Sequence, residues 1–202
     1  MEERITLQSE IYDLEGLFEL NGSSGLVVTH PHPLYGGQMD NPVVDSVRRI
    51  YRQHGYTTLR FNFRGTGNSQ GRYADGIGEQ ADVRAAADYL FAAGQKEVAL
   101  AGYSFGAWII ALTVQQEIPI KHLIMVSPPV GFIDFQGISA IPGLQLVITG
   151  SRDEIAPVKR IEQLLPSWNP AASFEVISGA DHFYGGYLDQ LERVLATHIE
   201  AP

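Results

Sequence analysis

The feature that most constrains the fold of this chain is a serine with a glycine two positions to either side, in the run Gly102-Tyr103-Ser104-Phe105-Gly106. The run lies between the apolar residues 98–101 and a second apolar, helix-compatible stretch over residues 107–114. In this context a G-x-S-x-G pattern predicts a sharp turn from a strand into a helix. The glycines allow strand and helix to approach closely where a Cβ would clash. Such a turn presents a weakly nucleophilic hydroxyl to a general base and to backbone N–H donors, so Ser104 is the candidate nucleophile.

Short apolar, β-branched runs alternate with longer runs of helical period along the rest of the chain. This alternation is typical of a mostly parallel sheet covered by helices on both faces. The predicted strands are residues 5–8, 16–20, 26–29, 56–63, 98–101, 122–127, 144–149 and 174–177. The predicted helices are residues 42–54, 79–93, 107–114, 157–165 and 187–199. The first two strands precede any helix, and we expect them to be antiparallel, with a turn at residues 21–25.

Composition limits the functions that such a fold can carry. A chain of 202 residues, 45% of them hydrophobic, is long enough for a sizeable core, and we expect a single domain over residues 1–202. The formal net charge is -9 and there is no basic block, so neither nucleic acid nor a membrane surface is an expected partner. The absence of cysteine excludes a disulfide framework, a thiolate zinc site and a cysteine nucleophile. Because the first residues lack the apolar stretch of a signal peptide, we expect a cytoplasmic protein.

The candidate nucleophile needs a histidine as base and a carboxylate to hold that histidine. In a parallel sheet these groups are expected just after strands, because the carboxyl ends of the strands emerge at one edge. Asp153 follows predicted strand 144–149 and His182 follows predicted strand 174–177. The order Ser104, Asp153, His182 is nucleophile, acid, base. The competing acids are Glu154, Asp181 and Asp134, of which Glu154 is the main alternative.

An oxyanion hole needs two N–H groups, one from the residue after the nucleophile and one from the loop after the first parallel strand. Phe105 supplies the first. The second comes from residues 29–37, where Pro31 and Pro33 have no N–H to donate. His32 and Leu34 both remain candidates for the second donor.

These motifs resemble those of small, lidless, serine esterase-like proteins of the bacterial α/β-hydrolase superfamily. Besides the three candidate residues, the resemblance is carried by His30-Pro31-His32-Pro33 followed by Tyr35-Gly36-Gly37-Gln38-Met39-Asp40-Asn41, and it covers nearly the whole chain. It implies an α/β-hydrolase fold with an eight-stranded, mostly parallel sheet, helices on both faces and no cap domain. It also implies a triad of Ser104, His182 and Asp153. Many relatives have His-Gly where this chain has His30-Pro31.

Two further segments fit the same resemblance. Arg64-Gly65-Thr66-Gly67-Asn68-Ser69 is similar to an Arg-Gly-x-Gly-x-Ser loop that is common in the superfamily, for which we expect a structural role. Only residues 128–143 separate two predicted strands at the place where many hydrolases carry a lid. We therefore expect an open site.

The predicted reaction is hydrolysis of a carboxylic ester or thioester of a small soluble substrate through an acyl-enzyme on Ser104. The alternatives are an amidase or peptidase on the same triad, or a non-catalytic binding module on the same fold. His30 and His32 also have a spacing that two metal ligands could use, but no third ligand completes the set, so we expect neither a metal nor another cofactor. The sequence leaves a homodimer open. Candidate aromatic walls of the substrate pocket are Tyr35, Tyr103, Trp108, Phe132, Phe135, Phe183 and Tyr184.

Overall fold

The chain forms eight strands and five α-helices within the residues that this computed structural model describes, 1–116, 118–135 and 137–199. The strands are β1 (Glu3–Ser9), β2 (Tyr12–Glu19), β3 (Ser24–Thr29), β4 (Thr57–Phe61), β5 (Glu97–Tyr103), β6 (Leu123–Val126), β7 (Leu144–Gly150) and β8 (Ser173–Ile177). The helices are α1 (Pro42–Gln53), α2 (Ile77–Ala92), α3 (Phe105–Thr113), α4 (Val158–Trp168) and α5 (Leu188–His198).

All eight strands belong to one sheet in the order β1-β2-β4-β3-β5-β6-β7-β8. Strand β2 is antiparallel to both β1 and β4, and the remaining neighbours, from β4 through β3 to β8, are parallel. The predicted eight-stranded, mostly parallel sheet is therefore confirmed. Because the parallel strands run in one direction, the loops after β3, β5, β7 and β8 emerge at one edge of the sheet.

The sheet has a hydrophobic core on each face. Alternate residues of a central strand point to opposite faces, so that Leu100 of β5 lies in one core while its neighbour Ala101 lies in the other. Helices α2, α3 and α4 contribute buried side chains to the first core, and α1 and α5 contribute to the second. Helices therefore cover both faces. Strands β3 and β6 are buried along their full length, and β5 is buried at every residue after Glu97.

The first hairpin turns at a different place from the one expected. Strand β2 begins at Tyr12 rather than at residue 16, and the turn to it from β1 is Glu10-Ile11. Of residues 21–25, the first three lead to β3 and the last two belong to it, and β3 is separated from β2 by β4. The prediction was wrong because this two-residue turn lacks the usual glycine or asparagine signal, although Glu10 adopts a positive φ of 53°. The alternation of Tyr12, Leu14 and Gly16 towards the interior was the signal that could have located the strand.

Helix starts agree with their capping residues. Asn41 accepts a hydrogen bond from the Val43 N–H at 2.9 Å, and Pro42 takes the first helical position of α1, as the sequence predicts. Helix α2 begins two residues before its predicted start. The carboxylate of Glu79 accepts hydrogen bonds from the N–H groups of Gly76 at 2.9 Å and Ala74 at 2.8 Å, and so caps the first turn from within the helix.

The connection from β6 to β7 contains no helix or strand in its described portions, residues 127–135 and 137–143. The carboxyl edge of β5 is therefore not covered by an element inserted at this point. Within the described ranges, no helix combines the length and the apolar character that are needed to cross a bilayer.

Candidate active site

Ser104 stands at the turn between β5 and α3 in a strained backbone conformation. Its φ is 54° and its ψ is -120°, a combination that a non-glycine residue rarely adopts. A Cβ on Gly102 would lie 2.6 Å from the backbone N of Ala107, and a Cβ on Gly106 would lie 2.5 Å from Thr29 Oγ1. Both glycines are therefore required for close approach, as the sequence predicts, and the turn places the serine at the carboxyl edge of the sheet.

The structure brings Ser104, His182 and Asp153 into one hydrogen-bonded chain. The distance from His182 Nε2 to Ser104 Oγ is 2.9 Å, and His182 Nδ1 lies 2.9 Å from Asp153 Oδ2. All three residues are buried. A carboxylate only accepts, so His182 Nδ1 donates to Asp153 and Nε2 is left to accept the Ser104 proton. The arrangement can turn a serine hydroxyl into a nucleophile.

Asp153 is held by its own loop as well as by the histidine. Its Oδ1 accepts hydrogen bonds from the N–H groups of Ile155 at 2.9 Å and Ala156 at 2.7 Å. Burial opposes ionisation of this carboxyl, but the hydrogen bonds from His182 and Ala156 outweigh it and lower the pKa of Asp153. An aspartate that accepts from the second and third residues after it is a common turn motif, so this contact could have been expected from the sequence.

The competing acids do not lie at the imidazole. Glu154, Asp181 and Asp134 are all exposed, whereas Asp153 is 4% exposed. The Asp181 side chain accepts a hydrogen bond from the Phe183 N–H at 3.0 Å, on its own loop. Of the acids considered, Asp153 is the one that the structure brings to His182.

The two candidate oxyanion donors of the loop after β3 differ in whether their N–H group already has a hydrogen-bond acceptor. The Leu34 N–H donates to His32 Nδ1 at 3.2 Å, and Leu34 is 65% exposed. Among the residues described, none accepts a hydrogen bond from the His32 N–H. Phe105 is the first residue of α3, so its N–H has no acceptor within the helix. The Phe105 and His32 N–H groups are therefore without an acceptor among these residues, whereas the Leu34 amide already has a partner.

His30 connects this loop to the neighbouring one, a role that the sequence analysis missed. The Phe63 N–H donates to His30 Nε2 at 3.0 Å, and His30 Nδ1 donates to the Pro31 carbonyl at 2.7 Å. Burial lowers the pKa of His30 to about 4, so its ring is neutral near pH 7. Both ring nitrogens of His30 are thus occupied, which disfavours the pairing of His30 with His32 around a metal. Among the residues that the structure describes, no group of three or more histidine and carboxylate side chains could hold a metal ion.

The Arg64–Ser69 loop is anchored away from the triad. The Arg64 guanidinium contacts Asp82 Oδ1 at 2.7 Å, and both side chains are buried. Glu15 accepts from the Asn68 N–H at 2.7 Å, which holds the other end of the loop. None of residues 64–69 lines the cavity at Ser104. These contacts agree with the structural role expected of the loop.

A cavity of about 460 Å³ opens beside Ser104 and His182. Its walls are largely apolar, and none of the described residues that line it is Asp, Glu, Lys or Arg. Of the aromatic walls predicted from the sequence, the residues found in the lining are Tyr35, Tyr103, Phe132 and Phe183. The cavity can therefore take a small, mainly apolar molecule with its polar reacting group at the serine.

The other three aromatic residues that were predicted to line the pocket pack elsewhere. Phe135 packs on Trp168 with ring centroids 5.4 Å apart, and Trp108 contacts Phe105 on the helix side. Tyr184 is fully buried, and its hydroxyl forms a hydrogen bond with Ser127 Oγ at 2.8 Å. Tyr103 has an additional contact, because its hydroxyl donates to the His182 carbonyl at 2.8 Å and so supports the loop of the histidine.

Comparison with known proteins places this arrangement in a family. A sequence profile of the alpha/beta hydrolase family matches residues 30–199. The chain is 34% identical over 183 residues to an uncharacterized protein of Rickettsia prowazekii (strain Madrid E), a match that spans 86% of this chain and 77% of that protein.

Solved structures give the same result. An α/β serine hydrolase homologue from Coxiella burnetii superposes with a TM-score of 0.90 and 34% identity over 98% of this chain and 97% of that one. A member of the α/β serine hydrolases without a lid, from Xanthomonas campestris, superposes with a TM-score of 0.90 and 30% identity over 98% of this chain and 93% of that one. Because the family profile matches most of the chain and these relatives are at least 30% identical over nearly all of it, this chain belongs to the α/β-hydrolase family, among its small members without a lid.

Proposed function

We propose that the protein is a serine hydrolase that cleaves carboxylic esters or thioesters of small soluble substrates through an acyl-enzyme on Ser104. The observation that carries the proposal is the hydrogen-bonded chain from Ser104 Oγ through His182 to Asp153, with 2.9 Å at each of its two steps. This chain lies at an apolar cavity beside two N–H groups that lack acceptors within the described residues. A binding module would need none of these alignments.

The reaction follows from the positions of these groups. As Ser104 Oγ attacks the acyl carbon, its proton passes to His182 Nε2, and Asp153 stabilises the imidazolium that forms. The carbonyl oxygen becomes an oxyanion, which accepts hydrogen bonds from the N–H groups of Phe105 and His32. His182 then gives its proton to the leaving oxygen or sulfur, and the bond to the acyl carbon breaks.

Deacylation repeats these steps with water. His182 takes a proton from a water molecule, the resulting hydroxide attacks the acyl carbon, and the proton returns to Ser104 Oγ as the acid leaves. No step requires a metal or an organic cofactor. An amide would pass through the same intermediates, so amidase activity is the alternative that kinetics must decide.

Active-site labelling tests the nucleophile. A fluorophosphonate probe should label the wild-type protein and should not label Ser104→Ala. Ser167→Ala is a matched control, because Ser167 is an exposed serine on α4, and it should label as the wild type does. Labelling of Ser104→Ala would remove Ser104 from the mechanism.

Substrate type is tested with three acetyl compounds that differ only in the leaving atom, an aryl ester, an aryl thioester and an anilide. We expect turnover of the ester and the thioester. A faster reaction with the anilide would identify an amidase instead.

The cytoplasmic location and the absence of nucleic-acid or membrane partners remain parts of this proposal, supported by the net charge of -9 and the lack of cysteine.

A further inference from the structure

The exposed aromatic residues of this protein are concentrated at one place. Within the described ranges, the large aromatic side chains on the surface are Tyr35, Phe132 and Phe183, which are 74%, 59% and 71% exposed. All three line the cavity at Ser104, although they come from three different loops. Exposed aromatic rings that converge on one site indicate a surface that a ligand covers.

These rings fall into two groups on the wall of the cavity. Tyr35 and Phe132 contact each other edge to face with ring centroids 5.9 Å apart, and both contact the ring of His32. Phe183 contacts the ring of His182 at 5.6 Å and has an interplanar angle of 89° to it. The first group therefore adjoins the oxyanion loop, and the second adjoins the general base.

The geometry of the reaction assigns a different part of an ester to each group. Protonation of the leaving oxygen requires that it lie within hydrogen-bond reach of His182 Nε2. The substituent on that oxygen consequently departs on the side of His182, where Phe183 lies. The carbonyl oxygen points to the amides of Phe105 and His32, which leaves the acyl group the remaining wall, beside Tyr35 and Phe132.

The cavity wall also restricts the charge of the substrate. Within the part of the chain that the structure describes, no Asp, Glu, Lys or Arg lines the cavity, so a charged group bound there would lose water without gaining an ionic partner. The net charge of -9 adds a general repulsion of anions. Neutral substituents are favoured on both sides of the carbonyl.

On these grounds we propose that Tyr35 and Phe132 bind an apolar acyl group while Phe183 binds an apolar leaving group. The preferred substrates are then neutral esters with an apolar or aromatic substituent on each side of the carbonyl. This inference rests on the proposed function, because it assigns the two halves of the ester that Ser104 attacks.

Four esters separate the two walls while the reacting atoms stay the same. The series is ethyl acetate, ethyl 3-phenylpropanoate, 2-phenylethyl acetate and monoethyl succinate. In the wild type each phenyl ring should raise kcat/KM about tenfold over ethyl acetate, which corresponds to about 1.4 kcal/mol. The carboxylate of monoethyl succinate should lower kcat/KM below that of ethyl acetate.

Single substitutions then assign the walls. Phe183→Ala should abolish the gain from the phenyl ring in the leaving group and keep the gain from the phenyl ring in the acyl group. Phe132→Ala and Tyr35→Ala should do the reverse. Leu20→Ala is the control, because Leu20 is a 64% exposed apolar residue that does not line the cavity, and it should keep both gains.

Several results would overturn the assignment. The first is that Phe183→Ala abolishes the gain from the acyl phenyl ring while Phe132→Ala and Tyr35→Ala abolish the gain from the phenyl ring of the leaving group. The second is that every variant loses both gains. The third is that neither phenyl ring raises kcat/KM in a wild type that still cleaves ethyl acetate. Binding to neutral phosphatidylcholine vesicles that disappears in Phe132→Ala would assign the rings to a lipid surface instead. A wild type that cleaves no ester and takes no fluorophosphonate label would instead refute the proposed function itself, and the inference with it.

Discussion

The substitution Asp153→Asn tests the catalytic chain most sharply, because neither orientation of the asparagine side chain preserves all the hydrogen bonds that the carboxylate accepts. In the protein, Asp153 Oδ2 lies 2.9 Å and Oδ1 lies 3.0 Å from His182 Nδ1, and Oδ1 also accepts from the N–H groups of Ile155 and Ala156. A carboxylate accepts at both oxygens, whereas an asparagine has one accepting oxygen and one donating NH₂ group. One of the two sites must therefore receive a donor that faces another donor.

The cost of each orientation can be compared. If the NH₂ group faces Ile155 and Ala156, a half-buried and a buried N–H group lose their acceptor, which costs about 1–3 kcal/mol for the buried one. If it takes the place of Oδ2, it faces His182 Nδ1, and that contact becomes a hydrogen bond when the imidazole moves its proton from Nδ1 to Nε2. The second orientation keeps the loop intact, so we expect it to dominate, and Nε2 can then no longer accept the Ser104 proton. The same change of histidine tautomer lowers kcat about 10⁴-fold in a serine protease triad, which corresponds to about 5.4 kcal/mol in the activation free energy.

The assay is kcat/KM for an activated acetate ester, measured together with the thermal unfolding midpoint. We expect Asp153→Asn to lose about four orders of magnitude in kcat/KM while it unfolds cooperatively, since the loop bonds persist. Glu154→Gln is the matched control at the adjacent, exposed carboxylate and should stay close to wild type. If Asp153→Asn keeps more than about a tenth of the activity, or if Glu154→Gln is the more damaging change, the assignment of the acid is wrong.

Three further changes test other parts of the structure. In Gly106→Ala the new Cβ would lie 2.5 Å from Thr29 Oγ1 and 2.7 Å from the Thr29 carbonyl. Denaturant unfolding should therefore show a free energy of unfolding about 1–3 kcal/mol lower than that of the wild type, and esterase activity should fall as well. An unchanged unfolding midpoint would contradict the close packing. Burial lowers the pKa of His122 to about 4, so the unfolded chain takes up a proton between about pH 6.5 and pH 4 while the folded protein does not, and stability falls as the pH drops through that window. His122→Gln should recover about 2 kcal/mol of the unfolding free energy that the wild type loses by about pH 5. The control is His54→Gln, at a partly exposed histidine. If the free energy of unfolding of His122→Gln falls with pH as steeply as that of the wild type, the account is refuted. His32→Ala keeps the backbone N–H and should be milder than Ser104→Ala in kcat/KM, and EDTA should leave activity intact; metal-dependent turnover would overturn the serine mechanism.

The elements predicted best from the sequence are those that depend on residues close together in the chain. The elbow at Ser104 follows from two glycines and the apolar runs beside them, and the start of α1 follows from Asn41 and Pro42. The eight strands were also predicted, because each contains a short apolar run, although β2 begins at Tyr12 rather than at residue 16. The hairpin at Glu10-Ile11 was missed because a turn without glycine or asparagine carries no local sequence signal.

The sequence by itself determined the strand-to-helix turn, the order of the candidate residues and the length of the β6–β7 connection. These features depend on backbone sterics and hydrophobic periodicity, which are properties of residues that are neighbours in the chain. Only the tertiary structure decided which acid lies at His182, which loop amide is free and which aromatic rings line the cavity. Asp153 and Ser104 are 29 and 78 residues from the histidine that they contact. Tyr184 and Phe135 are aromatic like Phe183 and Phe132, yet packing buries the first two and leaves the other two exposed at the cavity. Contacts at such separations depend on how strands and helices pack across the whole sheet, which no local pattern records.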